Sequence, residues 1–177
     1  MMKSSRAFTL LELIVVIFII TLIGAMLFSS AIHEEKKVEV LDPTTLPKVL
    51  KQAFQGQGDI ELFCIKKCKE CYIVQGSSIT AYDGGIKFGK DVEIYKLDND
   101  NHFVQLDELG RMKDKKICLR YHLYSNGSTT QIVIKNRRGI YYLPSYFGEA
   151  KKVEDMEEAK ELWIKEEYDL RDSGSFY

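Results

Sequence analysis

From Phe8 to Ile32 the chain carries a single charged residue, Glu12. No other feature constrains the fold as much, because the hydrocarbon core of a bilayer takes about 20 apolar residues of helix to cross. Lys3, Arg6 and the initial amine precede the run, while His33, Glu34, Glu35, Lys36 and Lys37 come after it and nearly cancel. That asymmetry keeps the N-terminus cytoplasmic and exports the residues beyond Ser30. A carboxylate at the centre of such a helix costs roughly 2.5–3.5 kcal/mol on insertion scales. Glu12 lies only about 6 Å of helical rise beyond Phe8, near one membrane face, where the cost is lower. It is a functional-site candidate and requires a partner. A cleaved secretory signal fits less well, since its apolar core is shorter and its cleavage site lies after that core. A plain anchor has no use for Glu12.

The run RAFTLLELIVVIF resembles the class III signal of type IV pilins and pseudopilins. That pattern is a short basic leader, a small residue, Phe, Thr, two apolar residues, Glu and an apolar helix. The resemblance implies cleavage between Ala7 and Phe8 by a prepilin peptidase, then N-methylation of Phe8. It also implies that Glu12 meets the N-terminal amine of a neighbouring subunit during assembly. Physically, a buried carboxylate and a buried ammonium offset each other's desolvation only when they meet. The family usually has Gly before the cleavage point, where this chain has Ala7. The organisation implied is a leader over 1–7, a transmembrane helix over 8–32 continuing to about Leu41, and a periplasmic domain over 33–177. The implied partners are other pilins or pseudopilins and an inner-membrane assembly platform with its ATPase. No cofactor is implied.

The residues beyond the anchor, roughly 140, suffice for one domain with its own core. A net charge of −1 gives no global field towards nucleic acid. Ten Tyr and nine Phe are too many for a disordered tail. After Pro43, the residues Leu46, Val49, Leu50, Ala53 and Phe54 make one apolar stripe, a short helix with Thr45 as its cap and Pro47 in its first turn. QGQG (55–58) closes it. IELFCI, CYIVQ, SITAY, VEIYKL, HFVQL, KICLRYHLY, TTQIVIK and GIYYLP then read as strands, rich in β-branched and aromatic residues. Asn126-Gly127 between two of them is a hairpin signal. From Glu149 to about Leu170 a charged amphipathic helix carries Val153, Met156, Ala159, Leu162 and Trp163 on one face, and Trp163 is expected to pack on the sheet. The fold class is α+β: a long N-terminal transmembrane helix, then an antiparallel β-sheet domain with a C-terminal amphipathic helix.

Cys64, Cys68, Cys71 and Cys118 allow two disulfides in an oxidising compartment. Three pairings are possible. Cys64 with Cys118 is favoured, both lying in strand-like runs, leaving Cys68 to Cys71. A four-thiolate zinc site and a redox-active pair, activated by Lys66, Lys67 and Lys69, stay open.

Other motifs carry less. Gly84 to Lys90 resembles a phosphate loop, but Asp91 stands where Ser or Thr would hold magnesium. Asp98 and Asp100 hint at a calcium loop, yet Phe103 and Leu109 occupy the required Gly and Glu positions. Asn126 begins a glycosylation triplet that the turn explains. The basic turns at Lys113, Lys115 and Lys116 and at Lys135, Arg137 and Arg138 are read as solvated loops, with a DNA contact as the functional alternative. No catalytic constellation is visible, and His33, His102 and His122 are scattered. The expected function is that of a minor pseudopilin or pilin-like structural subunit, not an enzyme, in type II secretion, a type IV pilus or DNA uptake. The alternative is a membrane-anchored periplasmic redox or metal-binding domain built on the cysteines.

Overall fold

The structure, a computed structural model, describes residues 10–32, 39–54, 58–146 and 148–173, with the backbone alone for 24–32 and 173. It forms two units, residues 1–37 and 38–177.

In the first unit, helix α1 runs Leu10–Ile32. Between Leu10 and Ile23 only Glu12 and Thr21 are not apolar. Consecutive positions from Leu13 to Ile20 are all exposed. At about 100° of turn per residue, they take in every side of the helix. A helix apolar all round is one that belongs in an apolar medium or a packed core. Among the described residues no helix is long and apolar enough to cross a membrane. The described α1 side chains cover about 21 Å, against a core of about 30 Å. The expected span over 8–32 starts before the described residues and ends beyond the described side chains. Its expected continuation to Leu41 needs correcting: residues 33–38 lie outside the described set, and Glu39 and Val40 are irregular. Leu41 forms a parallel bridge to Ile86. Its N–H donates to Gly85 O at 2.7 Å, and its carbonyl accepts from Lys87 N at 2.8 Å.

The second unit begins with α2, Leu46–Ala53, whose Leu46, Val49 and Leu50 are buried as the stripe requires. Thr45 does not cap it. Its hydroxyl turns back to donate to Val40 O at 2.6 Å, and Asp42 Oδ1 accepts the N–H groups of Thr44 and Thr45 instead. Burial acts against ionisation of Asp42, but the Thr44 hydroxyl and these amides outweigh it and hold the carboxyl below its ordinary range.

Ten strands come next: β1 Ile60–Ile65, β2 Glu70–Gln75, β3 Ser78–Ala81, β4 Glu93–Leu97, β5 Phe103–Gln105, β6 Arg111–Met112, β7 Lys115–Leu123, β8 Ile132–Asn136, β9 Gly139–Leu143 and β10 Lys151–Val153; helix α3, Met156–Ser173, ends the described chain. All eight strand runs read from sequence are present. The single sheet expected is instead two antiparallel five-stranded sheets, ordered β3-β2-β1-β7-β6 and β10-β9-β8-β4-β5. The expected helix from Glu149 starts later, because 151–153 pair with β9.

One core joins the sheets. Ile60, Leu62, Leu119, Tyr121 and Leu123 from the first meet Ile94, Ile132, Ile134 and Leu143 from the second, with α2 and Phe88 closing the side. Behind the second sheet, Val133, Tyr142 and Val153 receive Ala159 and Trp163 of α3. The expected docking of Trp163 on a sheet is present, with Phe103 edge-on at 6.3 Å and Tyr142 tilted at 6.2 Å. Asp155 Oδ1 accepts Glu158 N at 2.9 Å and starts the helix.

The Asn126-Gly127 turn forms, but the hairpin does not. Gly127 takes φ +84°, and Tyr124 N donates to Ser128 O at 2.8 Å. Pairing then ends at a lone Leu123–Thr129 bridge. β8 leaves for the second sheet, where its partners are β4 and β9.

Candidate functional site

The residues singled out from the sequence fall in two places. The first is the start of α1. Glu12 sits in its first turn, where the positive end of the helix dipole favours a carboxylate. Ala7 and Phe8 lie outside the described residues.

The second place is the cysteine cluster, which the fold assembles at one end of the first sheet. Across the antiparallel β1–β2 pair, Cys64 stands directly opposite Cys71, with Cα atoms 4.0 Å apart, and the two are bonded. Cys68 lies in the connecting turn and bonds Cys118 of β7, with Cα atoms 5.8 Å apart. The favoured pairing of Cys64 with Cys118 and Cys68 with Cys71 is therefore wrong. The reason lies in the β1–β7 register: Cys64 pairs with Leu119 and Ile65 with Ile117. Cys118 is the extra residue of a bulge, and a bulge re-aims the side chain it carries. Cys64 already faces Cys71, so the bulged cysteine takes the one in the turn. None of the four is a free thiol. The disulfides do not favour a thiolate metal site or a reactive pair.

The turn itself is unusual. Lys66, Lys67 and Cys68 take φ of 54°, 56° and 58°, three successive left-handed residues that are not glycine. Such residues persist where surrounding structure over-determines them, and here both ends of the turn are cross-linked. The Lys66 ammonium pairs with Glu70, which raises its pKa above the ordinary lysine range.

A third cluster was not legible as a site. Glu166 of α3 is buried. Its Oε1 accepts from Ser145 N at 2.9 Å, Ser145 Oγ at 3.0 Å and Tyr146 N at 2.8 Å. Its Oε2 accepts from Gln131 Nε2 at 3.1 Å and from the Tyr142 hydroxyl. Burial, and then the bond to Glu166, push the Tyr142 phenol well above its ordinary pKa. Every contact of this carboxylate is internal, so it fastens α3 to the 142–146 segment. The signal was present: Glu166 continues the apolar stripe three residues after Trp163.

The remaining motifs resolve into turns. Asp98 Oδ1 accepts the N–H groups of Asp100 at 3.0 Å and His102 at 2.7 Å, closing the β4–β5 turn. The stretch 84–90 runs beside Leu41 in place of a strand-loop-helix. Arg137 pairs with Asp91, and Arg138 Nη1 donates to Lys87 O at 3.3 Å. Among the described residues no group of three or more His, Cys, Asp or Glu is placed to hold a metal.

Residues 2–28 match the family profile of the prokaryotic N-terminal methylation motif. No curated protein and no solved structure matches the chain. The N-terminal segment thus carries a prokaryotic N-terminal methylation motif, over the same residues on which the resemblance to type IV pilins and pseudopilins rests. The match ends before the globular unit, whose architecture stands on its own contacts.

Proposed function

We propose that the chain is a pilin-like structural subunit of a bacterial envelope filament, of the minor pseudopilin kind. The observation that carries this reading is the methylation motif over 2–28, with Glu12 in the first turn of a helix apolar on all sides. A prepilin peptidase cuts between Ala7 and Phe8, and Phe8 is N-methylated. The helix over 8–32 anchors the chain in the inner membrane, N-terminus inward, and holds the domain in the periplasm. Two disulfides support that placement, since they persist in oxidising compartments. In the filament the apolar helices pack together, and Glu12 registers against the Phe8 amine of a neighbour. Each charge is costly alone in a dry bundle and tolerable as a pair. An assembly platform and its ATPase extract the subunits. The machine is type II secretion, a type IV pilus or a DNA-uptake system.

The intact mass of the chain purified from its host tests this. Loss of seven residues plus one methyl group is expected, and Glu12→Gln is expected to abolish incorporation into filaments while leaving processing intact. A retained leader, or normal incorporation of the Glu12→Gln variant, would refute the reading.

A further inference from the structure

The globular unit gathers basic side chains at one end of its first sheet and carboxylates on α3, the helix that covers its second. The β1–β2 turn presents Lys66, Lys67 and Lys69, and the β6–β7 hairpin presents Arg111, Lys113, Lys115 and Lys116, all exposed. Either loop alone is an ordinary solvated turn. The fold gathers them into one patch. Ile65 pairs with Ile117, Arg111 with Lys116, and Met112 with Lys115, while the Cys68–Cys118 bond ties the first turn to β7. Lys67 and Lys116 line one cleft with Cys118. Within the two loops the only carboxylates are Glu70, held by Lys66, and Asp114. Asp91, Glu93 and Asp107 line the cleft beneath. Gathered like charge works against the compact state, so its retention under a cross-link points to a use.

The complementary surface is α3 with the residues before it. Glu154, Asp155, Glu157, Glu158 and Glu161 are exposed there. Glu157, Glu158 and Glu161 lie on the helix, Glu157 four residues before Glu161, and Glu154 and Asp155 immediately precede it. The helix is fixed on β9 and β10 of the second sheet through Trp163, whereas the lysines belong to the first. A copy cannot lay its own α3 on its own patch.

We propose that the lysine patch of one copy docks on the acidic first half of α3 of a second copy. This rests on the filament-subunit reading. The two surfaces differ and lie on different sheets, so the contact is heterologous, and it repeats along a filament instead of closing into a twofold dimer. A run of two copies suffices, so a minor component can use it. Rim charges of this kind set register and encounter rate more than affinity.

The test uses the full processed chain in detergent micelles, as an equal mixture of ¹⁴N- and ¹⁵N-labelled copies. A zero-length carbodiimide then joins lysines to carboxylates in contact. Mixed-isotope links between Lys66–Lys69 or Lys115–Lys116 and Glu154–Glu161 are expected. Their yield is expected to fall about ten-fold or more with K69E/K115E/K116E, and equally with E154K/E157K/E161K, as three lost pairs imply. Mixing the two reversed variants is expected to restore it. Absence of mixed-isotope links, or no restoration on mixing, overturns the contact. The same spectra report the leader and the Phe8 methyl group, so a processed chain without links removes this contact alone, and an unprocessed one removes the filament reading. Loss of double-stranded DNA retention in the lysine variant, with links unchanged, assigns the patch to nucleic acid and also overturns the contact.

Discussion

Replacing Cys68 and Cys118 together by alanine removes the pin that holds the lysine turn on β7. The bond spans 50 residues of sequence. In the chain-entropy treatment, closing a ring of that size removes denatured-state freedom equivalent to about 4 kcal/mol at 25 °C. The same arithmetic gives the Cys64–Cys71 ring, with a separation of 7, about 2.4 kcal/mol. The chain has a single tryptophan, Trp163, packed between Phe103 and Tyr142, so its fluorescence reports unfolding of this unit alone. Urea titration of C68A/C118A is expected to show a loss near 4 kcal/mol, with faster exchange at the core amides that open only on global unfolding as well as at 66–69. The pairing itself is readable by mass. Trypsin cuts after Lys66, Lys67 and Lys69, and after Lys116 and Arg120, so each cysteine falls in its own fragment. Without reduction, Cys68-Lys69 is expected linked to Ile117-Cys118-Leu119-Arg120, and the fragment ending at Lys66 linked to the one starting at Glu70. A loss below about 1 kcal/mol would refute the ring argument. The 117–120 fragment attached to the Cys64 fragment would refute the register argument.

Two more outcomes concern α3. Trp163→Ala empties the contact between α3 and the second sheet, and a loss of about 3–5 kcal/mol is expected by urea titration monitored by circular dichroism, with exchange rising across 156–173. Tyr142→Phe removes a donor to the buried Glu166, costing about 0.5–1.5 kcal/mol at pH 8. The Tyr142 pKa is raised in the fold, so its contribution is complete below the free-tyrosine value of about 10 and is lost as pH rises beyond it. The variant is therefore expected to lose less stability than the parent between pH 8 and pH 11. Tyr121 and Tyr82 are raised as well, so the alkaline loss shrinks without vanishing. Equal losses in both proteins would contradict the assigned linkage.

How far each feature could be read from sequence depends on the range of the physics behind it. The strands were legible because burial imposes a local rule. β7 alternates cleanly from Ile117 to Leu123, and β1 is apolar enough to be buried on both faces. The stripe ending in Trp163 was legible for the same reason, at helical period. Partition of the strands between sheets was not. The turn at Asn126-Gly127 has hairpin chemistry, yet Thr130 N already bonds His122 O, and the next residues depart for another sheet. A turn signal fixes a reversal of the chain and leaves open how long the two arms stay paired. Helix α1 was legible for the opposite reason, since its apolar character needs no partner in the sequence to be recognised. Glu12 stands out against it as Glu166 never could among the many carboxylates of α3. The place of Glu166 on the stripe with Trp163 is the one sequence mark it carries, and its burial is a product of the fold.

The cysteine pairing shows where such reading stops. Cys64 and Cys118 both lie in apolar strands that are sheet neighbours, and that much of the reasoning was sound. One extra residue in β7 changes which atoms meet. Without the bulge, the residue beside Ile65 would be Cys118, and the turn cysteine would have no such partner on that strand. The bulge also decides where the lysines end up, because Cys68 brings Lys66, Lys67 and Lys69 to the strand that carries Lys115 and Lys116. A single irregularity of register therefore links the disulfide pattern to the charge pattern. If deleting one residue beside Cys118 restored regular pairing and kept the mixed-isotope cross-links, the patch would not depend on the pin; their loss, with the unit still folded, is the expected result.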